Sequence, residues 1–204
     1  MNCPLCKHSG EWFLDSFYEC KNCKALYRHI DDYTSHDKEK ERYEEHNNDV
    51  NDLAYQKFVS PISNYVLEHF SPTDSGLDFG SGTGPVISKV LIDNGYNIKQ
   101  YDPFFANFPE LLTQKYDYIV CCEVMEHFHN PDKEFLQLRA MLNPNGALIC
   151  MTHLYDDTID FKNWYYKNDP THVFIYQKLT IAYITKKFNF SSSKIDGRRV
   201  IFNV

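Results

Sequence analysis

The chain has 204 residues, enough for one α/β domain with a substantial core and one small appendage. Hydrophobic residues make up 43% of it and aromatic residues 16%, which excludes general intrinsic disorder. The formal net charge of −7 argues against broad, sequence-independent binding to nucleic acid, which needs a basic surface, although it leaves room for a local basic patch.

The sequence shows no features of a secreted or membrane-bound chain. The N-terminus runs directly into Cys3-Pro4-Leu5-Cys6, so we expect no secretory leader. No stretch approaches the roughly 18 consecutive apolar residues of a membrane helix. Of the seven cysteines, four lie in two CxxC pairs and three in apolar strands, which favours a reducing compartment over a disulfide framework. We therefore expect a cytoplasmic monomer or homodimer without a membrane span.

Residues 1–30 are predicted to form a zinc ribbon. One CxxC pair is Cys3 and Cys6, the other is Cys20 and Cys23, and a short hairpin-like segment separates them. Because so short a segment cannot bury a core of its own, four thiolates on one Zn²⁺ would supply the folding energy. Four protein ligands leave no open position, so the metal is expected to be structural. The ribbon is expected either to stabilise the N-terminal segment or to contact a substrate or RNA.

Residues 31–75 are predicted to be a helical cap or linker. The segment from Asp31 to about Asp52 is charge-dense, with mixed signs at helical spacing, which predicts a solvated helix face. A more apolar helix is expected from about Ala54 to Phe70, with one buried face and with Pro61 marking a kink or a break.

The central feature of the sequence is Leu77-Asp78-Phe79-Gly80-Ser81-Gly82-Thr83-Gly84-Pro85. It predicts the end of a buried strand, a glycine-rich turn and the start of a helix. Glycine allows positive φ and a close approach of the backbone to a ligand. The free N–H groups of such a loop, beside a helix N-terminus, favour an electron-rich ligand group.

Strands and helices alternate through the predicted third domain, residues 76–204, which implies a mainly parallel sheet covered on both faces. The predicted strands are Gly76–Phe79, Asn97–Tyr101, Tyr116–Cys122 and Ala147–Thr152, with two more around Asp196-Gly197. The predicted helices are Val86–Asp93, Pro131–Leu142 and Leu179–Phe188, and Asn143–Gly146 is predicted to be a turn.

Two kinds of cofactor fold use a glycine loop of this type. The dinucleotide fingerprint requires a third glycine where this chain has Pro85. The order of Asp78, Phe79 and then G-x-G-x-G instead resembles the first motif of class I S-adenosylmethionine-dependent methyltransferases. Glu123-Val124-Met125-Glu126-His127 is similar to the stretch after the fourth strand in the ubiquinone-biosynthesis-like group. The resemblance covers residues 76 to about 190 and implies a Rossmann-like, doubly wound sheet.

That resemblance implies an S-adenosylmethionine site. Asp102, at the end of the second strand, takes the position of the acid that accepts both ribose hydrogen bonds. Only Pro103–Lys115 separates it from the next strand, so the third strand of the family is expected to be abbreviated or absent, and Phe104 and Phe105 are candidates to stack on the adenine. The residues expected at the cofactor are Asp78, Gly80, Ser81, Gly82, Gly84, Asp102, Pro103, Phe104, Glu123, Val124 and His127.

The acceptor is expected to lie against the segment that follows the fifth strand. Asn163–Val173 concentrates aromatic, polar and histidine residues, as the wall of a small-molecule pocket would. The predicted acceptor residues are Trp164, Tyr165, Tyr166 and His172. His172 is the first candidate for a general base or a substrate anchor. For His127 a structural role and a catalytic role remain open.

Three functions compete. The first is a methyltransferase that acts on a small molecule. The second is an rRNA or tRNA methyltransferase whose ribbon contacts RNA, against which stand the acidic charge and Cys122-Glu123-Val124-Met125 in place of an N/D-P-P-[FY] motif. The third is a non-enzymatic cofactor-binding scaffold, against which stands the intact set of Gly80, Gly82, Gly84 and Asp102.

Overall fold

The computed structural model describes residues 1–45 and 49–204. The N-terminal segment contributes β1 (Gly10–Leu14), β2 (Phe17–Cys20), β3 (Leu26–Arg28), α1 (His36–Glu44) and α2 (Leu53–His69). The central part contributes β4 (Ser75–Phe79), α3 (Val86–Asp93), β5 (Asn97–Tyr101), β6 (Tyr116–Cys122), α4 (Pro131–Met141) and β7 (Leu142–Met151). The chain continues with β8 (Phe174–Ile175), α5 (Lys178–Lys187), β9 (Ser192–Asp196) and β10 (Arg199–Asn203).

The centre of the molecule is a mixed six-stranded sheet in the order β5-β4-β6-β7-β10-β9. The first four of these strands are parallel neighbours, and β10 and β9 continue the sheet as antiparallel strands. Between β5 and β6 lie only an isolated bridge from Asp102 to Ala106 and a 3-10 turn at Pro109–Thr113. The predictions of a mainly parallel sheet and of an abbreviated third strand are confirmed.

Each face of this sheet carries two helices, because the parallel strands are apolar on both sides. Along β6, Tyr118 and Val120 belong to the core under α2 and α3, whereas Ile119 and Cys121 belong to the core under α4 and α5. This alternation is what a strand buried on both faces requires. None of the described helices combines the length and the apolarity that a membrane crossing needs.

Of the two alternatives predicted for Pro61, a kink or a break, the break is excluded. Pro61 lies inside α2, which continues from Leu53 to His69. The carbonyl that Pro61 cannot satisfy belongs to Lys57, and it accepts a 2.8 Å hydrogen bond from the Ser60 hydroxyl instead. The predicted turn at 143–146 falls within the bounds of β7 and interrupts its pairing with β6. Leu142 pairs with Tyr116 and Ala147 with Tyr118, so four residues of β7 lie opposite one residue of β6.

A second sheet joins the N-terminal segment to the rest of the molecule. It is antiparallel, in the order β1-β2-β3-β8, so a strand from residues 174–175 completes the predicted ribbon. The buried cysteines of the N-terminal segment also share one core with Phe135, Val173 and Phe202. The division into residues 1–30, 31–75 and 76–204 remains a prediction, and this sheet crosses it.

Candidate active site

The glycine loop after β4 adopts the backbone that its sequence predicts. Gly80 and Gly82 have φ values of 79° and 64°, in the left-handed region that favours glycine. A side chain at Gly80 would place its Cβ 2.4 Å from Val124, so the close packing of two loops also requires glycine there. Asp78 is buried behind the loop and accepts a 2.7 Å hydrogen bond from the Ser88 hydroxyl. Burial raises the pKa of Asp78 to about 6.

Asp102 connects the two loops at the carboxyl ends of β4 and β5. One carboxylate oxygen accepts a 3.0 Å hydrogen bond from the Gly82 N–H. The other accepts bonds of 2.8 and 3.1 Å from the N–H groups of Phe104 and Phe105. The oxygen bonded to Phe104 and Phe105 already accepts two hydrogen bonds, whereas the oxygen bonded to Gly82 accepts one and has a lone pair left. Asp102 can therefore accept a hydrogen bond from a ligand while it holds both loops in place.

A cavity of about 810 Å³ opens above these strand ends. Every residue that was predicted at the cofactor lines it: Asp78, Gly80, Ser81, Gly82, Gly84, Asp102, Pro103, Phe104, Glu123, Val124 and His127. Of the predicted acceptor residues, Tyr165, Tyr166 and His172 line it as well. The two predicted halves of the site therefore share one cavity.

Trp164 does not line this cavity. Its side chain is 8% exposed and packs in a separate cluster, with ring centroids 6.1 Å from both Tyr155 and Phe161. The placement of Trp164 in the pocket wall is therefore corrected. Tyr166 belongs to the same cluster and also reaches the cavity, whereas Trp164 packs only on the side of the second sheet.

His127 and His172 lie side by side in the cavity wall, with ring centroids 4.8 Å apart. The Nδ1 atom of His127 lies 3.0 Å from the Thr171 carbonyl, and that of His172 lies 2.7 Å from the Tyr166 carbonyl. Because a carbonyl only accepts, each Nδ1 carries the proton when the ring is neutral, and each Nε2 keeps its lone pair. Burial lowers the pKa of His172, which favours the neutral form.

Glu126 lies behind the two histidines and is fully buried. Its carboxylate accepts hydrogen bonds from the Tyr166 hydroxyl at 2.5 Å and the Thr152 hydroxyl at 3.1 Å. The potential ligand atoms of Glu126, His127 and His172 lie within 4.8 Å of one another, a set that a divalent cation can use. The same carboxylate fixes Tyr166, whose carbonyl in turn orients His172.

Glu123 and Arg198 form an ion pair at the cavity. Arg198 donates to one Glu123 oxygen at 2.5 Å, while Glu123 Oε1 and Arg198 Nε have no hydrogen-bond partner among the described residues. Glu123 has a φ of 52°, which marks a sharp turn after β6. Burial and the nearby Glu126 raise the pKa of Glu123 to about 8, and Arg198 opposes the shift.

Helix α1 contributes residues that were not predicted in the site. His36, Glu39 and Tyr43 share one helix face and line the cavity. The predicted solvated face lies on the other side of the helix, where Asp37, Lys38 and Glu41 are exposed. Glu39 accepts a 2.9 Å bond from His129 Nε2, and the Tyr43 ring lies 5.3 Å from that of His127. The spacing of three and four positions between His36, Glu39 and Tyr43 could have indicated a shared face, but the charged residues around them dominate the sequence pattern. Residues 46–48 of the charge-dense segment lie outside the described residues. Tyr55, Phe58 and Arg198 also line the cavity and were missed.

The four N-terminal cysteines form a compact cluster away from the cavity. All four are buried, and their sulfur atoms lie within 4.8 Å of one another, including pairs at 3.6 Å for Cys3 and Cys23 and 3.3 Å for Cys6 and Cys20. A tetrahedral zinc with Zn–S bonds of about 2.3 Å needs sulfur atoms roughly 3.8 Å apart. The donor set and its geometry therefore suit zinc.

Comparison with known proteins places the fold. The family model described as "Methyltransferase domain" matches residues 30–193, leaving the four-cysteine segment outside it. A ubiquinone biosynthesis O-methyltransferase of Rickettsia akari (strain Hartford) is 26% identical over 125 residues, covering 50% of this chain and 49% of the relative. The chain thus spans about half the length of this curated relative.

Solved structures share the same fold at low sequence identity. A SAM-dependent methyltransferase from Archaeoglobus fulgidus matches with a TM-score of 0.56 and 14% identity over 73% of this chain and 94% of that protein. An O-methyltransferase family protein from Burkholderia thailandensis matches with a TM-score of 0.52 and 13% identity over 74% and 56% of the two chains. The central sheet is that of the α/β methyltransferase fold, and the family match spans most of the sequence. The chain belongs to the methyltransferase domain family.

Proposed function

We propose that this protein transfers a methyl group from S-adenosylmethionine to a hydroxyl group of a small-molecule acceptor. The observation that carries the proposal is the shared cavity, which joins the glycine loop and Asp102 to the paired histidines His127 and His172. The O-methyltransferase named among the relatives supports oxygen as the acceptor atom. The match to that relative covers about half of each chain, so the complete activity is a proposal for this protein.

Asp102 and the glycine loop form the donor half. The carboxylate of Asp102 would accept a hydrogen bond from a ribose hydroxyl through the oxygen that also binds the Gly82 N–H, and the loop would bring the backbone against the cofactor. When bound, S-adenosylmethionine supplies an electrophilic methyl group on a sulfonium. Glu123 places a carboxyl group in the same cavity. Its pKa of about 8 keeps it largely neutral at pH 7, and a positively charged ligand beside it would favour the charged form.

His172 acts in the acceptor half as a general base. Its Nε2 would take the proton of the acceptor hydroxyl as the oxygen bonds to the methyl carbon and the carbon–sulfur bond breaks, giving a methyl ether and S-adenosylhomocysteine. The hydrogen bond from Nδ1 to the Tyr166 carbonyl fixes the tautomer that this step requires. His127 lies beside it and either shares this role or shapes the site.

The four-cysteine cluster would hold one structural zinc ion. Cys3, Cys6, Cys20 and Cys23 fill a tetrahedral shell, so the metal has no open position for chemistry. The RNA methyltransferase alternative is not favoured, because the net charge is −7 and the relatives named above include no RNA methyltransferase.

The proposal is tested by incubating the purified protein with S-adenosylmethionine and a panel of small phenols and alcohols. The formation of S-adenosylhomocysteine and of the methyl ether is measured by mass spectrometry. We expect acceptor-dependent product with at least one hydroxylated compound and none with its already methylated analogue. Methylation of an RNA pool in preference to every small molecule would overturn the proposal.

A further inference from the structure

Arg28, the last residue of β3, donates hydrogen bonds into the segment that carries His172. Its Nε donates to the His172 carbonyl at 3.0 Å. One terminal nitrogen donates to the carbonyls of Lys167 at 2.7 Å and Asp169 at 3.4 Å, and the other donates to the Ser16 hydroxyl at 2.9 Å. One guanidinium from the N-terminal segment thus holds three carbonyls of residues 167–172.

The surroundings of Arg28 fix its side chain in this position. Its guanidinium carbon lies 4.6 Å from the ring centroid of Phe17, a cation–π contact with a buried ring. Its own N–H donates to the Val173 carbonyl at 3.0 Å, next to the pairing of β3 with β8. Both the backbone and the side chain of Arg28 therefore hold the end of the His172 segment.

Other contacts from the N-terminal third reach the same segment. Lys167 pairs with Asp15 at 2.7 Å, the Thr34 hydroxyl donates to the Pro170 carbonyl at 3.0 Å, and Arg42 pairs with Asp169 at 2.9 Å. The segment itself has only short 3-10 turns, at Phe161–Asn163 and Tyr165–Asn168. Since such turns satisfy few of their own carbonyls, outside donors are needed to define its conformation.

We infer that Arg28 is a positioning residue for His172, and that the four-cysteine ribbon thereby forms part of the acceptor half of the site. The second CxxC pair ends at Cys23, and β3 leads directly from it to Arg28. The four cysteines would hold this strand in place when they bind metal. The strand presents Arg28, and Arg28 fixes the backbone of residues 167–172. The functional meaning rests on the proposed acceptor role of His172, but the structural coupling can be measured without turnover.

The test compares Arg28→Ala and Arg28→Lys with Arg139→Ala in the full-length protein. Arg139 is a matched control, because it also donates to a backbone carbonyl, that of Asn189, and lies over an aromatic ring, that of Phe190. Hydrogen–deuterium exchange follows peptides covering residues 163–173. Labelling of His172 by diethylpyrocarbonate follows the exposure of the imidazole.

We expect Arg28→Ala to raise the amide exchange rate at residues 163–173 and the labelling rate of His172, each by at least about tenfold, because three carbonyl contacts are lost. Arg28→Lys has one ammonium in place of the planar guanidinium and should show a smaller increase in both rates. If the alanine variant does not fold, the lysine variant supplies the test. Added guanidinium ion should reduce the effect in Arg28→Ala, and Arg139→Ala should show none. Unchanged rates at 163–173, or an increase confined to residues 10–28, would overturn the inference.

Two further measurements separate this inference from the proposed function. Cys20→Ser should release the metal and raise exchange at 163–173 as Arg28→Ala does, and an unchanged rate after metal loss would refute the metal-dependent part. Binding of S-adenosylhomocysteine should be retained in Arg28→Ala, because Asp102 and the glycine loop are untouched. If the wild-type protein binds no S-adenosylhomocysteine, the proposed function fails while the exchange result still decides the coupling.

Discussion

Replacing Asp102 with alanine tests the donor half of the cavity. The carboxylate is 6% exposed and already accepts three backbone hydrogen bonds, from Gly82, Phe104 and Phe105. In the proposed complex the oxygen bonded to Gly82 accepts one more, from a ribose hydroxyl. The substitution therefore removes the ligand contact and releases the two loops that shape the ribose site.

The expected loss follows from the ribose contact. A hydrogen bond to a charged group contributes about 1.5–3 kcal/mol, so its loss would weaken binding by roughly tenfold to a hundredfold. Asp102→Asn loses the charge and replaces one acceptor oxygen with an NH2 donor, but it keeps the other oxygen to hold a loop, so its loss should be smaller. Both are measured by titration calorimetry with S-adenosylhomocysteine.

Asp93→Asn is the matched control, since Asp93 is an exposed carboxylate that pairs with Lys89 on α3. Its affinity for S-adenosylhomocysteine should equal that of the wild-type protein. Thermal unfolding of each variant shows whether the fold survives. An Asp102→Ala variant that folds and binds within threefold of wild type would refute the assignment of Asp102 to the ribose.

Three further predictions concern the zinc cluster, the base and the glycine loop. Elemental analysis should show about one zinc per chain and its loss in Cys20→Ser, while unchanged metal content would contradict the four-cysteine site. His172→Asn should depress turnover strongly and leave the affinity for S-adenosylhomocysteine nearly unchanged, whereas a rise in acceptor KM alone would indicate an anchor. Burial lowers the pKa of His172, so its neutral, basic form persists at lower pH than in an ordinary histidine. The midpoint of the acid limb in a plot of rate against pH should therefore lie below the usual histidine pKa of about 6.5. Gly80→Ala should destabilise the fold by about 1–3 kcal/mol and weaken cofactor binding. Gly95→Ala is the control and should cost less, because Gly95 has a similar φ of 83° but no atom within 4 Å of the added Cβ. Equal losses of stability would show that the contact with Val124 contributes nothing.

Local patterns predicted the central sheet well. The strand Tyr116–Cys122 and the helix Val86–Asp93 have the bounds expected from the sequence, because an apolar run and a glycine loop followed by proline are strong local signals. The placement of Asp102 opposite the glycine loop was also predictable, since the carboxyl ends of neighbouring parallel strands meet at one edge.

Long-range contacts were not predictable from local patterns. The two-residue strand β8 pairs with β3 across more than a hundred residues of sequence, and nothing in Phe174-Ile175 alone indicates that partner. The charges of α1 predicted its solvated face but not the opposite face, where Glu39 is 7% exposed and finds its partner in His129. Trp164 and Tyr166 are both aromatic residues of one short segment, so the sequence alone does not distinguish them. Tertiary packing decides which of them reaches the cavity.

The most direct test of the central claim is a calorimetric comparison of S-adenosylhomocysteine and NAD binding to the wild-type protein. The glycines at 80, 82 and 84, Pro85 in place of a further glycine, and Asp102 predict a methyl-donor site. We expect S-adenosylhomocysteine to bind at one saturable site per chain, and NAD to bind more weakly or not at all. Tighter binding of NAD, or no binding of S-adenosylhomocysteine by the folded protein, would contradict the assignment of this cavity to methyl transfer.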